Sequence, residues 1–437
     1  MRSLKLGAGL LSAVALVPAV HAQDAQRAEI DALRAEVATL QARLDALERQ
    51  VASQAAVPRS ASAPEPAAAS SSTPAAPTVK TQGGLQVTSA DERYSMRIAG
   101  RLHYDAYVFD GDAGVPSTTE LRRARISLQG KLLEWEYKLE QDFASGNSLD
   151  GLRDAWIARD VAGGRLTIGH FKPYRGMEEL TSSNDAAMME RSFVSANGLF
   201  SGRQYQQGVG WQWSGGDMPT TAGISVFNLR SAGGPRNEGM GVAGRVTWAP
   251  VHDEDRTLHV GAWGSREDAG DSSPDLRAES SHGSRRGPRR LLAVTPGASG
   301  GQVDAVGLEL AGSFGPVSVQ SEVSRARFDQ ALGPAQVLQA WYVQGAWLPG
   351  GGHRPYKTGS GVFAAPAVPE GGLWELTARY ERADNRDLPG IATRSAVVGV
   401  NWYLNRWLRF MFDYTRGEDA LEGGKVERLG ARSQIVF

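Results

Sequence analysis

From residue 94 onward the chain is written largely in alternation. In ELRRARISLQGKL (120–132), Arg123, Arg125, Ser127, Gln129 and Lys131 fall on one side of an extended strand, and Ala124, Ile126, Leu128 and Leu132 on the other. The same two-faced pattern recurs. Leu408, Phe410, Phe412 and Tyr414 oppose Arg409 and Asp413; Trp374, Leu376, Ala378 and Tyr380 oppose Glu375, Thr377, Arg379 and Glu381; Leu429, Ala431, Ile435 and Phe437 oppose Arg428, Arg432 and Gln434. Strand-length segments of this kind are predicted at 94–109, 120–132, 134–145, 151–161, 164–172, 204–214, 220–230, 239–250, 256–265, 302–314, 316–327, 336–348, 373–384, 391–404, 406–416 and 426–437. The faces of 151–161, 204–214 and 336–348 stay ambiguous. An even set of sixteen suits a closed antiparallel barrel. A small soluble barrel packs its apolar side chains inward, but so many strands leave a wide lumen that fills with water, so the polar rows face a pore and the apolar rows face lipid. The reading is all-β, a 16-stranded antiparallel transmembrane β-barrel with a short N-terminal α-helical coiled-coil segment. The last strand running out to Phe437 fits such a barrel, and Trp135, Trp211, Trp213, Trp347, Trp374, Trp402 and Trp407 at segment ends would supply interfacial girdles.

The N-terminal pattern has a different period. Ile30, Val37, Leu44 and Val51 fit heptad a positions and Leu33, Leu40 and Leu47 fit d positions, while Glu29 would meet Arg34, and Arg43 would meet Glu48, of a parallel neighbour. Coiled-coil association and a lone amphipathic helix lying on the barrel or the cell wall both remain open. Residues 1–22 carry Arg2, Lys5, an apolar stretch and Val20-His21-Ala22, a signal peptide with cleavage after Ala22. Residues 52–80 are an Ala/Pro/Ser linker. The expected organisation is therefore a signal peptide (1–22), a periplasmic coiled coil (23–51), a flexible linker (52–80) and an outer-membrane barrel (81–437).

Composition narrows the classes. The 437 residues contain no cysteine, so disulfides, thiolate metal sites and cysteine nucleophiles are excluded. A net charge of −1 argues against a globally basic nucleic-acid binder, so any functional charge is local. A mean hydropathy of −0.32 argues against a helical membrane protein but not against a barrel, whose two faces average out.

The stretches RRARISLQGKL (122–132), EWEYKLEQDFA (134–144), LRDAWIA (152–158), GHFKPYRGMEELTSS (169–183) with MMERS (188–192), LFSGRQYQQGVG (199–210), GGLWELTARYERAD (371–384) and VGVNWYLNRWLRFMFDYTRG (398–417) together resemble the phosphate-selective porin O and P family of outer membranes. The resemblance implies a trimeric, water-filled, sixteen-stranded barrel whose loop after the fifth strand, here about 173–203, folds inward. It also implies conduction of anions, phosphate or polyphosphate in the best-known members, past inward Arg and Lys residues. This chain departs from that pattern in having only seven lysines, two of them (Lys5 and Lys80) outside the barrel, so basic duty passes to arginine.

Candidates for an anion path are Arg97, Arg101, Arg123, Arg125, Lys131, Arg245, Arg409, Arg428 and Arg432 on strands, and Lys172, Arg175, Arg191 and Arg203 in or beside the loop, with Thr181, Ser182 and Ser183 as hydroxyl donors. Guanidinium groups suit the purpose because a planar fork of donors grips oxyanions without protonation chemistry. If the first and last strands pair, Arg97, Arg101, Arg428 and Arg432 would form one continuous patch. Against selectivity, Asp105, Glu136, Glu140, Asp142, Glu375 and Asp413 share the inward faces and would neutralise the wall. The long connection 266–301 is basic at Arg285, Arg286, Arg289 and Arg290, and reads as a solvated extracellular loop, an anion-gathering mouth or a contact for lipopolysaccharide phosphates; 349–372 would plug part of the lumen with Arg354 and Lys357. Three other readings stand beside the anion porin: a general or sugar-type porin of weak charge selectivity, an outer-membrane enzyme built on His103, and a tether whose helical arm grips the cell wall. Ser299 in GASGG matches a nucleophile motif only formally, since it sits in a glycine-rich connection. No cofactor, metal or nucleic-acid site is expected.

Overall fold

The computed structural model describes residues 41–42, which are helical, and residues 76–110, 114–145, 151–229, 239–270, 276–282, 284–295, 301–329, 333–419 and 424–437. The signal peptide, all seven heptad positions (Ile30, Leu33, Val37, Leu40, Leu44, Leu47 and Val51) and Ser299 lie outside the described residues.

Sixteen strands form the wall: β1 (Tyr94–Asp110), β2 (Thr118–Leu132), β3 (Trp135–Asp142), β4 (Leu152–Val161), β5 (Gly164–Phe171), β6 (Gln206–Gly215), β7 (Thr220–Asn228), β8 (Met240–His252), β9 (Arg256–Asp268), β10 (Gln302–Phe314), β11 (Val317–Asp329), β12 (Gln336–Trp347), β13 (Leu373–Asn385), β14 (Ala392–Tyr403), β15 (Leu408–Asp419) and β16 (Lys425–Val436). Each pairs antiparallel with the next, and β16 returns to β1 with Arg432 opposite Asp105 and Val436 opposite Arg101. Closure removes the unpaired edges that hydrocarbon would not tolerate. Gly100 permits the last contact: its N–H and carbonyl both bond Phe437, and a Cβ there would fall 2.4 Å from the Phe437 ring.

The alternation sorts as the sequence implies. Val108, Leu121, Ile126, Val246, Val306, Leu308, Leu310, Val398, Phe412 and Leu429 are exposed on the outer face, while Asp105, Glu140, Asp142, Arg245, Glu309, Glu375, Arg409, Arg428 and Arg432 are buried within the barrel. The seven expected tryptophans all lie in the half of the wall nearer the short turns, where Trp374, Trp402 and Phe410 stack at 5.5 Å spacing across three strands. One girdle is therefore marked, at the turn end.

The linker gives way earlier than expected. Thr78–Lys80 and Leu85–Thr88 form a hairpin that pairs with β1 below the end of β16, completing an eighteen-stranded sheet with the sixteen wall strands. The lumen is not an open cylinder either. From the loop end, 172–205 folds inward and carries one helical turn, α1 (Met177–Leu180). Phe193, Val194, Leu199 and Phe200 pack with Phe227, Trp263, Phe328, Leu338 and Tyr342 of the wall. The connection 269–301 is not a free solvated loop: Arg277–Ser281 and Arg289–Val294 form a hairpin whose Ala278, Leu292 and Ala293 join that cluster. From the turn end, 348–372 also enters, placing Val362 and Phe363 against Met177 and Ala311. The β7–β13 side of the barrel is thereby packed except for a cavity of about 30 Å³ that Asp185, Arg354 and Phe363 line with β10–β12, and larger spaces lie on the β1–β5 side.

Candidate functional site: an arginine-lined passage

Two cavities remain on the β1–β5 side. One, of about 390 Å³, is lined by Arg122, Arg123, Arg125, Arg153, Arg191, Arg285 and Arg289 with Glu190 and Glu279. The other, of about 240 Å³, is lined by Arg101, Arg123, Arg125, Lys138, Lys172 and Arg191 with Glu140, Asp154, Ser182 and Ser183. They share Arg123, Arg125, Arg191, Gln204 and Tyr205, which form a common waist. Together the two linings bring ten basic side chains, nine of them arginines or Lys138, against four carboxylates. Asp142, buried behind Arg125, and Glu120, buried and bound by Arg285, bring the carboxylates to six without reversing the sign.

The waist is built by β1, β2 and the inward loop. Arg125 is fixed by Glu140 and Asp142, both at 2.9 Å, and Arg101 by Glu140 at 3.1 Å. The Ser183 and Ser182 hydroxyls accept from Arg101 at 3.1 and 3.4 Å. Arg123 differs: its only hydrogen-bond partner among the described residues is His103 Nδ1 at 3.3 Å, and it pairs with no carboxylate. A guanidinium only donates, so His103 Nδ1 must accept and the ring is neutral with its proton on Nε2. The histidine offered for hydrolysis is thus engaged by Arg123.

On the loop, Lys172 donates to the Glu179 carbonyl at 2.7 Å and lies 5.5 Å from the centre of the Tyr205 ring. Burial, with Arg191 nearby, pulls its ammonium well below the usual lysine range. Arg191 lines both cavities while its donors grip the carbonyls of Glu178 and Thr181. Glu190 binds Arg122 through two bonds of 2.7 and 2.8 Å and Arg432 through one of 3.0 Å. Burial opposes its ionisation, but Arg122, Arg432 and Arg123 win and hold the carboxyl well below the ordinary range.

Other sequence candidates serve a different purpose. Arg175 and Arg203 both bind Glu267 on the far wall and also donate to backbone carbonyls, so they anchor the loop rather than face the passage. Arg409 donates to the carbonyls of Ala186 and Ala187, and Arg432 binds Asp105 and the Met189 carbonyl. Arg245 pairs with Glu309 and grips the carbonyls of Ser360 and Gly361 in the turn-end plug. Arg97 binds the Gly83 carbonyl, and Lys131 is exposed at the turn end. The continuous patch of Arg97, Arg101, Arg428 and Arg432 does not form. Their register strings them along the barrel axis, from Arg97 at the turn end to Arg428 opposite Phe109 near the loop end, and Arg428 meets Asp413 at 2.8 Å. The six expected carboxylates Asp105, Glu136, Glu140, Asp142, Glu375 and Asp413 are all ion-paired. Arg285 and Arg286 both bind Glu120 of the wall, and Arg289 binds Glu279 within its own hairpin, so these basic loop residues are paired.

Sequence reasoning missed Arg122, Lys138 and Arg153 in the passage. Arg122 points inward next to Arg123 because the register slips between Leu121 and Arg123, an extra residue that strict alternation assigns to the lipid side.

A family model described as phosphate-selective porin O and P matches residues 96–437. The chain belongs to the phosphate-selective porin O and P family. Porin O of Pseudomonas aeruginosa is 28% identical over 78% of this chain and 86% of its own length. An uncharacterised protein of Caulobacter vibrioides is 26% identical over 99% of this chain and 95% of its own. Among solved structures, the anion-selective porin from Comamonas acidovorans superposes with a TM-score of 0.53 at 12% identity, covering 79% of this chain and all of that one, a likeness of fold. The protein is an outer-membrane porin, and the sixteen-stranded reading of its sequence matches the porin fold.

Proposed function

We propose that this porin passes small anions by diffusion through the off-axis passage between β1–β5 and the inward loop, with Arg123 as the central contact and Arg101, Arg125, Arg191 and Lys172 around it. One observation carries the reading: where the rest of the wall is neutralised pair by pair, the passage lining holds a surplus of positive charge, and Arg123 at its waist has no carboxylate partner. A fixed surplus in a narrow aqueous gap attracts anions and replaces part of their hydration, while the shared charges keep the ion from being trapped. Phosphate suits the donor set, since Arg forks and the Ser182 and Ser183 hydroxyls offer many N–H and O–H groups to one tetrahedral oxyanion. In this reading the turn end faces the periplasm, where residues 23–51 supply a helical arm, and three copies assemble.

The test is the reversal potential of single channels of the purified protein in a planar bilayer under a chloride gradient, repeated with phosphate added. Anion selectivity with current reduced by millimolar-range phosphate supports the proposal. A second reading, a general porin of weak charge preference, draws on the pairing of all six expected wall carboxylates. A reversal potential near zero with no phosphate block would favour it.

A further inference from the structure

Asp185 sits where the two inward folds meet. Its carboxylate accepts from Lys357 Nζ at 2.5 Å and from the Ala365 N–H at 3.1 Å. Its carbonyl accepts from Arg354 Nη1 at 2.8 Å. Arg354 is in turn fastened to Glu375 of β13 by bonds of 2.7 and 2.9 Å, and is buried. One residue of the loop-end fold thus carries three bonds to the turn-end plug, which is itself riveted to the wall. Immediately after it, Arg409 and Asn401 hold the carbonyls of Ala186 and Ala187. Just before it come Ser182 and Ser183, whose hydroxyls meet Arg101 in the passage.

We propose that Asp185 is a positioning residue for conduction: by latching the loop to the plug 348–372, it sets the distance between the Ser182–Ser183 hydroxyls and Arg101, and so the width and donor geometry of the passage. Only Ser183 and Asn184 separate Asp185 from Ser182, so freedom gained at Asp185 is transmitted to the hydroxyls with little slack. Neither Asp185 nor Arg354 nor Lys357 lines either cavity, and the latch meets the passage lining through the backbone, where the Asp185 N–H donates to the Ser182 carbonyl at 3.0 Å. Its effect is therefore geometric and separable from the charge of the waist. The inference rests on the anion reading only for the sign of the selectivity change.

Single-channel recording of the full-length protein tests it with Asp185→Ala, Asp185→Glu and Lys357→Met, each first checked for the heat-modifiable gel mobility of a folded barrel. Lys357 is nearly half exposed, so Lys357→Met leaves packing intact should Asp185→Ala fail to fold. The expected results are a severalfold rise in current noise, a changed unitary conductance and a severalfold loss of anion over cation preference in Asp185→Ala. Lys357→Met should move the same way by a smaller factor, and Asp185→Glu should retain most wild-type behaviour. Wild-type conductance, noise and selectivity in both Asp185→Ala and Lys357→Met would overturn the proposal. If the wild-type protein has no anion preference, the anion reading fails by itself, and the conductance and noise of the variants still decide the latch.

Discussion

At the scale of single residues, the arginines divide by what they hold. Arg175, Arg203, Arg245, Arg409 and Arg432 spend their donors on carboxylates and on backbone carbonyls of the inward folds. Losing one partner of such a buried pair is costly, on the order of 3–5 kcal/mol, because the other charge is left uncompensated. Arg123 is spent on neither. Arg123→Gln should therefore fold normally and lose severalfold in anion over cation permeability, read from the reversal potential, whereas Arg432→Gln should reduce the yield of folded barrel. Glu190 gives a pH prediction. Its folded pKa is depressed below the unfolded value, so its contribution to stability is present above about pH 4 and is lost only as pH falls through the depressed value. Glu190→Gln should lower the unfolding midpoint at neutral pH, and the difference from wild type should shrink in strong acid. A constant difference at all pH values would deny the ionised pairing of Glu190 with Arg122 and Arg432. Little of this division could be read from sequence. Alternation places an arginine on the inner face, but whether its partner is an anion, a wall carboxylate or a loop carbonyl depends on where the chain returns, as with Arg409 on Ala186, 223 positions away, and Arg432 on Met189, 243 positions away.

Elements were far more legible. Predicted and observed strands agree to within three residues at every end, since each pairs a period of two with turn residues at its limits. Strands 151–161 and 204–214 were ambiguous in face for a physical reason. β4 and β6 border the cavities, where Arg153, Gln204 and Tyr205 near their loop ends line the passage. The Arg122 bulge escaped because one inserted residue leaves the pattern on either side intact. The wall itself makes a stability prediction. Leu308 is 61% exposed on the outer face of β10. Leu308→Arg should destabilise the barrel by about 2–4 kcal/mol if it lies near the bilayer midplane, measured by denaturant unfolding in lipid vesicles, while Leu308→Val should be close to neutral. Gly100→Val should impede closure of β1 against the chain end, lowering the folded fraction, because a Cβ at that site meets Phe437 and the Arg125 carbonyl.

For the whole molecule, the closed barrel followed from counting two-faced strands, but the shape of its lumen did not. An inward fold is stabilised by residues spread over the entire wall, from Glu267 on β9 to Glu322 on β11, Glu381 on β13 and Arg432 on β16, and no local pattern announces that convergence. The consequence we propose is a pore displaced toward β1–β5 rather than centred. The absence of cysteine makes this displacement directly measurable. A single cysteine replacing Gln204, which lines both cavities, and in a separate protein one replacing Ser313, buried beside the Arg354 backbone under the plug, can each be treated with a membrane-impermeant charged thiol reagent during single-channel recording. An off-axis passage predicts prompt loss of most current in Gln204→Cys and none in Ser313→Cys. Current that persists in modified Gln204→Cys, or block at Ser313→Cys alone, would contradict the account.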